Sequence, residues 1–149
     1  MVRVFRKDPR ARLPHYATGG AAGLDLEALI TEDVLIPPLG RTRLPTGLVF
    51  EIPEGWEAQV RPRSGLAHRS GLTVLNSPGT IDSDFRGELE ILLINLGTEP
   101  FTVHRGDRIA QLVITPVSRA AILETGTPSE TQRGTGGFGS TGIAADAGI

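Results

Sequence analysis

Cysteine is absent from this 149-residue chain. That excludes a disulfide framework, thiol chemistry and any thiolate-ligated zinc site. Lysine is nearly absent too: Lys7 stands alone, so arginine supplies 14 of the 15 basic residues. No Walker-type Gly/Lys phosphate loop is therefore present, although an arginine-rich set suits bidentate recognition of phosphate or carboxylate. Neither sign of charge dominates, with 15 basic against 17 acidic residues and a net charge of -2. Such a chain lacks the basic footprint of a nucleic-acid-binding surface. The longest aliphatic run, "ILLI" at 91–94, is far short of a bilayer span. The start, "MVRVFRKDPRARLPHY", has no apolar core of a secretory signal. A cytoplasmic protein without membrane contact is expected. Missing as well are a G-x-S-x-G elbow and an H-E-x-x-H pair, and His15, His68 and His104 have no ligand spacing.

Glycine (19) and proline (11) punctuate the sequence, and the segments between them are short and β-like. Strands are predicted over 2–6, 24–29, 33–37, 46–53, 56–62, 72–76, 87–96, 100–106 and 108–117. "WEAQVR" and "VRVFR" alternate with period two, as strands with one wet face do. "ILLINL" is apolar on both faces, which suits a strand covered on both sides or lying in a subunit interface. Trp56 reads as a core or interface residue. The only helix expected is a turn or two around "SGLAHRSG" at 64–71, bounded by glycines and carrying His68 on its surface. The pattern predicts an all-β, jelly-roll-like barrel or sandwich over residues 1–125. From 126 to 149 the composition turns small, polar and glycine-rich, the signature of a flexible C-terminal arm.

Chemistry concentrates in a few stretches. "NSPGTIDSDFRGE" (76–88) holds Asp82 and Asp84 two residues apart, facing the same way if extended. They could be a metal pair or an acid–base pair, or could merely brace a hairpin turn. Asp25 lies between Leu24 and Leu26, which places its carboxylate on the face opposite to those side chains. Arg63 and Ser64 precede Gly65 where the short helix begins, an arrangement open to an anion. Gln111 sits on the strand after a tight turn. "RGTGGFGSTG" (133–142) packs glycines around Arg133, Phe138, Ser140 and Thr141. Successive glycines let backbone N–H groups turn inward on a phosphate.

In order, "AGLDLEA" (22–28), "PRSGLA" (62–67), "NSPGTIDSDFRGE" (76–88), "GDRIAQL" (106–112) and "RGTGGFGSTG" (133–142) resemble the five motifs of the trimeric dUTPases, the deoxyuridine triphosphate nucleotidohydrolases. Phe85 stands where that family usually has Tyr, which keeps the ring face and loses the phenol. The resemblance implies a homotrimer with three active sites, each built from all three chains. It implies Mg²⁺ as cofactor and hydrolysis of dUTP to dUMP and pyrophosphate by water attack at the α-phosphorus, which keeps uracil out of DNA and supplies dUMP for thymidylate synthesis.

Residue by residue, the resemblance implies Asp82 as general base, Gln111 as the group placing the water, and Asp25 holding Mg²⁺ through bound water. Arg63, Ser64 and Gly65 would grip the phosphates from one side. Arg133, Gly139, Ser140 and Thr141 would close from the other. Asn76, Thr80 and Ile81 would belong to the uracil-binding hairpin, Phe85 would lie on the deoxyribose, and Phe138 would stack on the base. A dCTP deaminase of the same fold would carry a catalytic Glu where Leu92 stands, so deamination is disfavoured. A non-catalytic nucleotide-sensing module would not need Asp82, Asp25, Gln111 and Arg133 together.

Overall fold

The computed structural model describes residues 1–140, and Thr141 with the residues after it lies outside them. It is mostly β, with one short helix. Eleven strands run in the order β1 (Arg3–Arg6), β2 (Leu24–Glu27), β3 (Val34–Ile36), β4 (Arg41–Pro45), β5 (Leu48–Glu51) and β6 (Trp56–Arg61). After α1 (Ser64–Ser70) follow β7 (Leu72–Val74), β8 (Gly79–Ile81), β9 (Glu90–Asn95), β10 (Phe101–Val103) and β11 (Arg108–Pro116). They form a four-stranded sheet β2-β11-β6-β8, a three-stranded sheet β4-β9-β7 and the pairs β1-β5 and β10-β3. Every pairing is antiparallel. No sheet among the described residues closes on itself, so the barrel half of the expected "barrel or sandwich" is not formed by one chain.

Alternation explains which face each strand buries. Ala58 and Val60 of β6 meet Ile114 and Leu112 of β11, and together with Leu26, Ile91 and Leu93 they enter one apolar cluster. The opposite face of the four-stranded sheet is polar: Asp25 pairs Gln111, and Gln111 pairs Arg61. That face carries the chemistry. At its centre Arg61 donates to Gln59 Oε1 at 2.6 Å and Gln59 donates to Glu57 at 2.7 Å.

Two strands were not foreseen. β4, "RTRLP", offers only Leu44 as a bulky apolar residue and lies on a sheet edge, where proline is tolerated. β8 is three residues long, inside what reads as a turn. Of the two expectations for β9, burial on both sides is not met within one chain. Ile91, Leu93 and Asn95 are fully buried, whereas Leu92 and Ile94 on its other face are only half-buried. Trp56, at 42% exposure, is not a core residue of this chain.

The helix starts without a side-chain cap and ends at Gly71, whose φ of 67° is the left-handed stop that glycine adopts freely. His68 is exposed on it. The chain divides into Met1–Ser118, which holds every strand and the helix found among the described residues, and Arg119–Ile149. No helix among the described residues is long and apolar enough to cross a membrane.

Candidate active site

Asp25 is the hub of the polar face. Its Oδ1 accepts from Arg63 Nε at 2.9 Å, and its Oδ2 accepts from Arg108 Nη1 at 3.0 Å. Arg63 is fixed a second time, donating from Nη1 to the Arg108 carbonyl at 3.1 Å. Gln111, opposite Asp25 in the register, donates to the Pro62 carbonyl at 2.8 Å. A side chain at Gly23 would collide with the Gln111 amide oxygen and push that amide from its place, so the bare glycine leaves room for it. Around these groups lies an open cavity of about 300 Å³ lined by Asp25, Arg63, Ser64, Gly65, Arg69 and Gln111. Four of the expected phosphate and water groups and the expected metal-associated carboxylate therefore meet at one place.

Two arginines of this neighbourhood escaped the sequence reading. Arg108 is three residues from Gln111, which in a regular strand puts them on opposite faces. A bulge corrects this: Arg108 faces Glu27 while Ala110 already faces Leu26, so one extra residue is inserted on β11. Ile109 and Ala110 are both buried, and Arg108 swings onto the face of Asp25. No sequence signal marks that bulge. Arg69 had one: it lies four residues after Gly65 on a helix, hence on the same side.

The second group of expected residues lies elsewhere. Asn76 lies in the turn before β8, Thr80 and Ile81 on β8, and Asp82 and Phe85 in the turn after it. The Asn76 amide nitrogen lies 3.1 Å from where a Gly79 side chain would begin. The Phe85 N–H donates to the Asp82 carbonyl at 3.2 Å. The Phe85 ring folds over Gly87, where a side chain would strike it, and stays 41% exposed. Asn76, Thr80, Asp82 and Phe85 are all exposed.

The two groups sit at opposite edges of the same sheet. From β2 to β8 there are three inter-strand steps, about 14 Å. Asp25 is level with Arg61 of β6, whereas Ile81 is level with Ala58, about 10 Å further along the strands. Asp82 lies beyond Ile81. A carboxylate side chain cannot bridge such a gap, so one chain does not bring Asp82 to the Asp25 cavity.

In the second unit, Arg133 Nε donates to the Gly136 carbonyl at 2.8 Å, and the Gly134 N–H reaches both the Thr131 carbonyl and its hydroxyl at 3.1 Å. Gly134 (φ 53°), Phe138 (φ 48°) and Gly139 (φ 84°) all take left-handed backbone. For Phe138 that conformation costs energy, and its ring is fully exposed. Ser140 donates its N–H to Gly137. Thr141, also expected in this loop, lies outside the described residues.

Among the described residues no three His, Cys, Asp or Glu side chains gather as a metal cage. On the cavity the one carboxylate is Asp25, and both of its oxygens already accept from arginine. The remaining lone pairs suit a metal-bound water better than the ion itself. Away from this face, Asp8 of the N-terminal segment is held down to about 2 by hydrogen bonds from the Arg10 side chain and then the Arg10 N–H.

The dUTPase family model matches residues 9–142. Deoxyuridine 5'-triphosphate nucleotidohydrolase of Rhizobium etli (strain CIAT 652) is 59% identical over 88% of this chain and 85% of its own. The enzyme of the same name from Beijerinckia indica is 60% identical over 87% of this chain and 82% of its own. Among solved structures, the dUTPase of Staphylococcus bacteriophage 80alpha with dUPNHPP superimposes with a TM-score of 0.87 at 25% identity, covering 96% of this chain and 99% of that one.

Proposed function

This chain belongs to the dUTPase family, and on that premise we propose that each of its active sites is shared between subunits of a homotrimer. Its activity is the hydrolysis of dUTP to dUMP and pyrophosphate, the reaction of a dUTP diphosphatase. The observation that carries the shared site is the separation of Asp82 from the Asp25 cavity across the full width of one sheet. A second chain that lays its Asp82 hairpin over this cavity removes the gap. Half-buried Leu92 and Ile94, together with exposed Trp56, offer apolar surface for such an association in a jelly-roll trimer.

In this reading the triphosphate lies in the cavity, gripped by Arg63, the Ser64 hydroxyl and the Gly65 N–H. Asp82 takes a proton from the water that attacks the α-phosphorus, the P–O bond to the β-phosphate breaks, and pyrophosphate leaves. Gln111, clamped between Gly23 and the Pro62 carbonyl, keeps a fixed amide beside that water. Asp25 fits Mg²⁺ held through water, since this ion retains waters and binds chiefly phosphate oxygens. When bound, Mg²⁺ supplies positive charge that spreads the negative charge developing on the phosphates. The arm closes the site with Arg133 on the γ-phosphate, the Gly139 and Ser140 N–H groups and the Thr141 hydroxyl along the phosphates, and Phe138 stacked on uracil.

Base choice falls to the hairpin. Backbone groups around Thr80 and Ile81 and the Asn76 amide offer donors and acceptors to the uracil edge, and cytosine would leave some of them unpaired at a large cost. Such work on a free nucleotide suits a cytoplasmic enzyme that needs neither nucleic acid nor membrane. Pyrophosphate release with Mg²⁺ from dUTP, dCTP, dTTP and UTP tests the assignment, with dUTP expected as the only good substrate. In the same assay Phe85→Ala is expected to raise the UTP-to-dUTP activity ratio, because the ring that crowds the sugar 2′-position is gone. An unchanged ratio would place the sugar discrimination elsewhere.

A further inference from the structure

We propose that Arg69, on the last turn of α1, is a further triphosphate-binding residue, engaging the phosphates beyond the α-phosphate. The inference rests on the reading of the Asp25 cavity as the triphosphate site. Three arginines approach this cavity, and two of them are already engaged. Arg63 spends its Nε and Nη1 on Asp25 and the Arg108 carbonyl, and Arg108 spends Nη1 on Asp25. Arg69 also lines the cavity, yet among the described residues its side chain takes part in no hydrogen bond or ion pair.

Its position is set by Gly65. The Arg69 Nη1 and Nη2 lie 3.1 and 3.3 Å from the point where a Gly65 side chain would begin. The guanidinium is thus laid against the bare backbone of a residue already expected to hold phosphate, and the helix brings it there by the four-residue spacing. An unpaired guanidinium beside a half-open cavity is stable in water, but a polyphosphate entering there meets five donors in a planar fork. Asp25 cannot serve as partner to all three arginines, so the ligand completes the charge balance of the cavity.

Arg63 and Arg69 then divide the work. Arg63 is held rigid and half-buried by Asp25 and fixes the geometry near the reacting phosphorus. Arg69 is exposed and adds charge for the leaving end of the chain of phosphates. Its contribution is therefore to holding a triphosphate over a monophosphate, and not to holding uracil or sugar.

The test measures equilibrium binding of the dUTP analogue dUpNHpp and of dUMP to the full-length protein with Mg²⁺. For Arg69→Gln, dUpNHpp affinity is expected to fall tenfold to a hundredfold, the worth of one charge-assisted hydrogen-bonding group. The affinity for dUMP should stay within about twofold. Arg69→Lys should recover part of the loss, since it restores charge without the fork. Unchanged dUpNHpp binding in Arg69→Gln, or an equal loss for dUMP, would overturn the proposal, the latter because it marks a structural role. Arg63→Gln separates the two levels of inference. If it weakens dUpNHpp binding and Arg69→Gln does not, only the role of Arg69 fails. If neither variant weakens it, the triphosphate reading of the cavity fails as well.

Discussion

Asp82→Asn is expected to bind dUTP nearly as well as the parent protein and to hydrolyse it about 10²–10⁴-fold more slowly. The amide is close in shape to the carboxylate and keeps one acceptor, so the hairpin that carries it should hold its turn, closed by Phe85 N–H on the Asp82 carbonyl. What is lost is the acceptor for the proton of the attacking water. Single-turnover kinetics with excess enzyme isolate this step from product release. Turnover near that of the parent would remove Asp82 from the role of base. Asp84, two residues further on and exposed, serves as the internal control: Asp84→Asn should leave the rate within a few fold.

Removing the chain from Thr131 onward is expected to leave the core folded and to lower activity by on the order of a hundredfold, the usual effect of losing oriented donors to a reacting anion. Among the described residues, all strands, the helix and the apolar cluster fall within Met1–Ser118. In the second unit nearly every described residue is exposed, and its hydrogen bonds are local turns. Such a segment contributes little burial to set against its ordering entropy. It can therefore order on a ligand and shut out bulk water. Circular dichroism and thermal melting of the truncated protein report the first expectation and pyrophosphate release the second. A truncated protein that unfolds would make the segment structural.

Much of this was legible in the sequence because it follows from local rules. The period-two alternation of "WEAQVR" placed Ala58 and Val60 in the core and Glu57, Gln59 and Arg61 on the polar face. Glycines bracketing 64–71 set the helix to within a residue. Leu24 and Leu26 around Asp25 correctly put the carboxylate on the outer face. What was not legible depends on contacts distant in sequence. The bulge at Ile109 that turns Arg108 toward Asp25 exists only against β2. β4 has little apolar alternation because it is an edge, recruited by pairing with β9. "ILLINL" reads as covered on both sides or lying in a subunit interface; in a single chain Leu92 and Ile94 are only partly covered. Apolarity on two faces does not say whether the second cover is a layer of the same chain or another subunit. The resemblance implied sites shared between chains, and within Met1–Ser118 the sheet register holds Asp82 away from the Asp25 cavity.

That division can be tested by mixing. Asp25→Asn and Asp82→Asn are each expected to be inactive alone, and each keeps the other carboxylate. The two proteins are unfolded, combined in equal amounts and refolded, and pyrophosphate release from dUTP is then measured, with native mass spectrometry confirming mixed trimers. If a site draws Asp82 from one chain and Asp25 from another, random assembly into a closed ring restores about a quarter of the sites, one half times one half. Activity near a quarter of the parent level is the result predicted here. Mixed trimers with no more activity than the sum of the two variants would contradict it, because they would show both carboxylates of a site coming from the same chain.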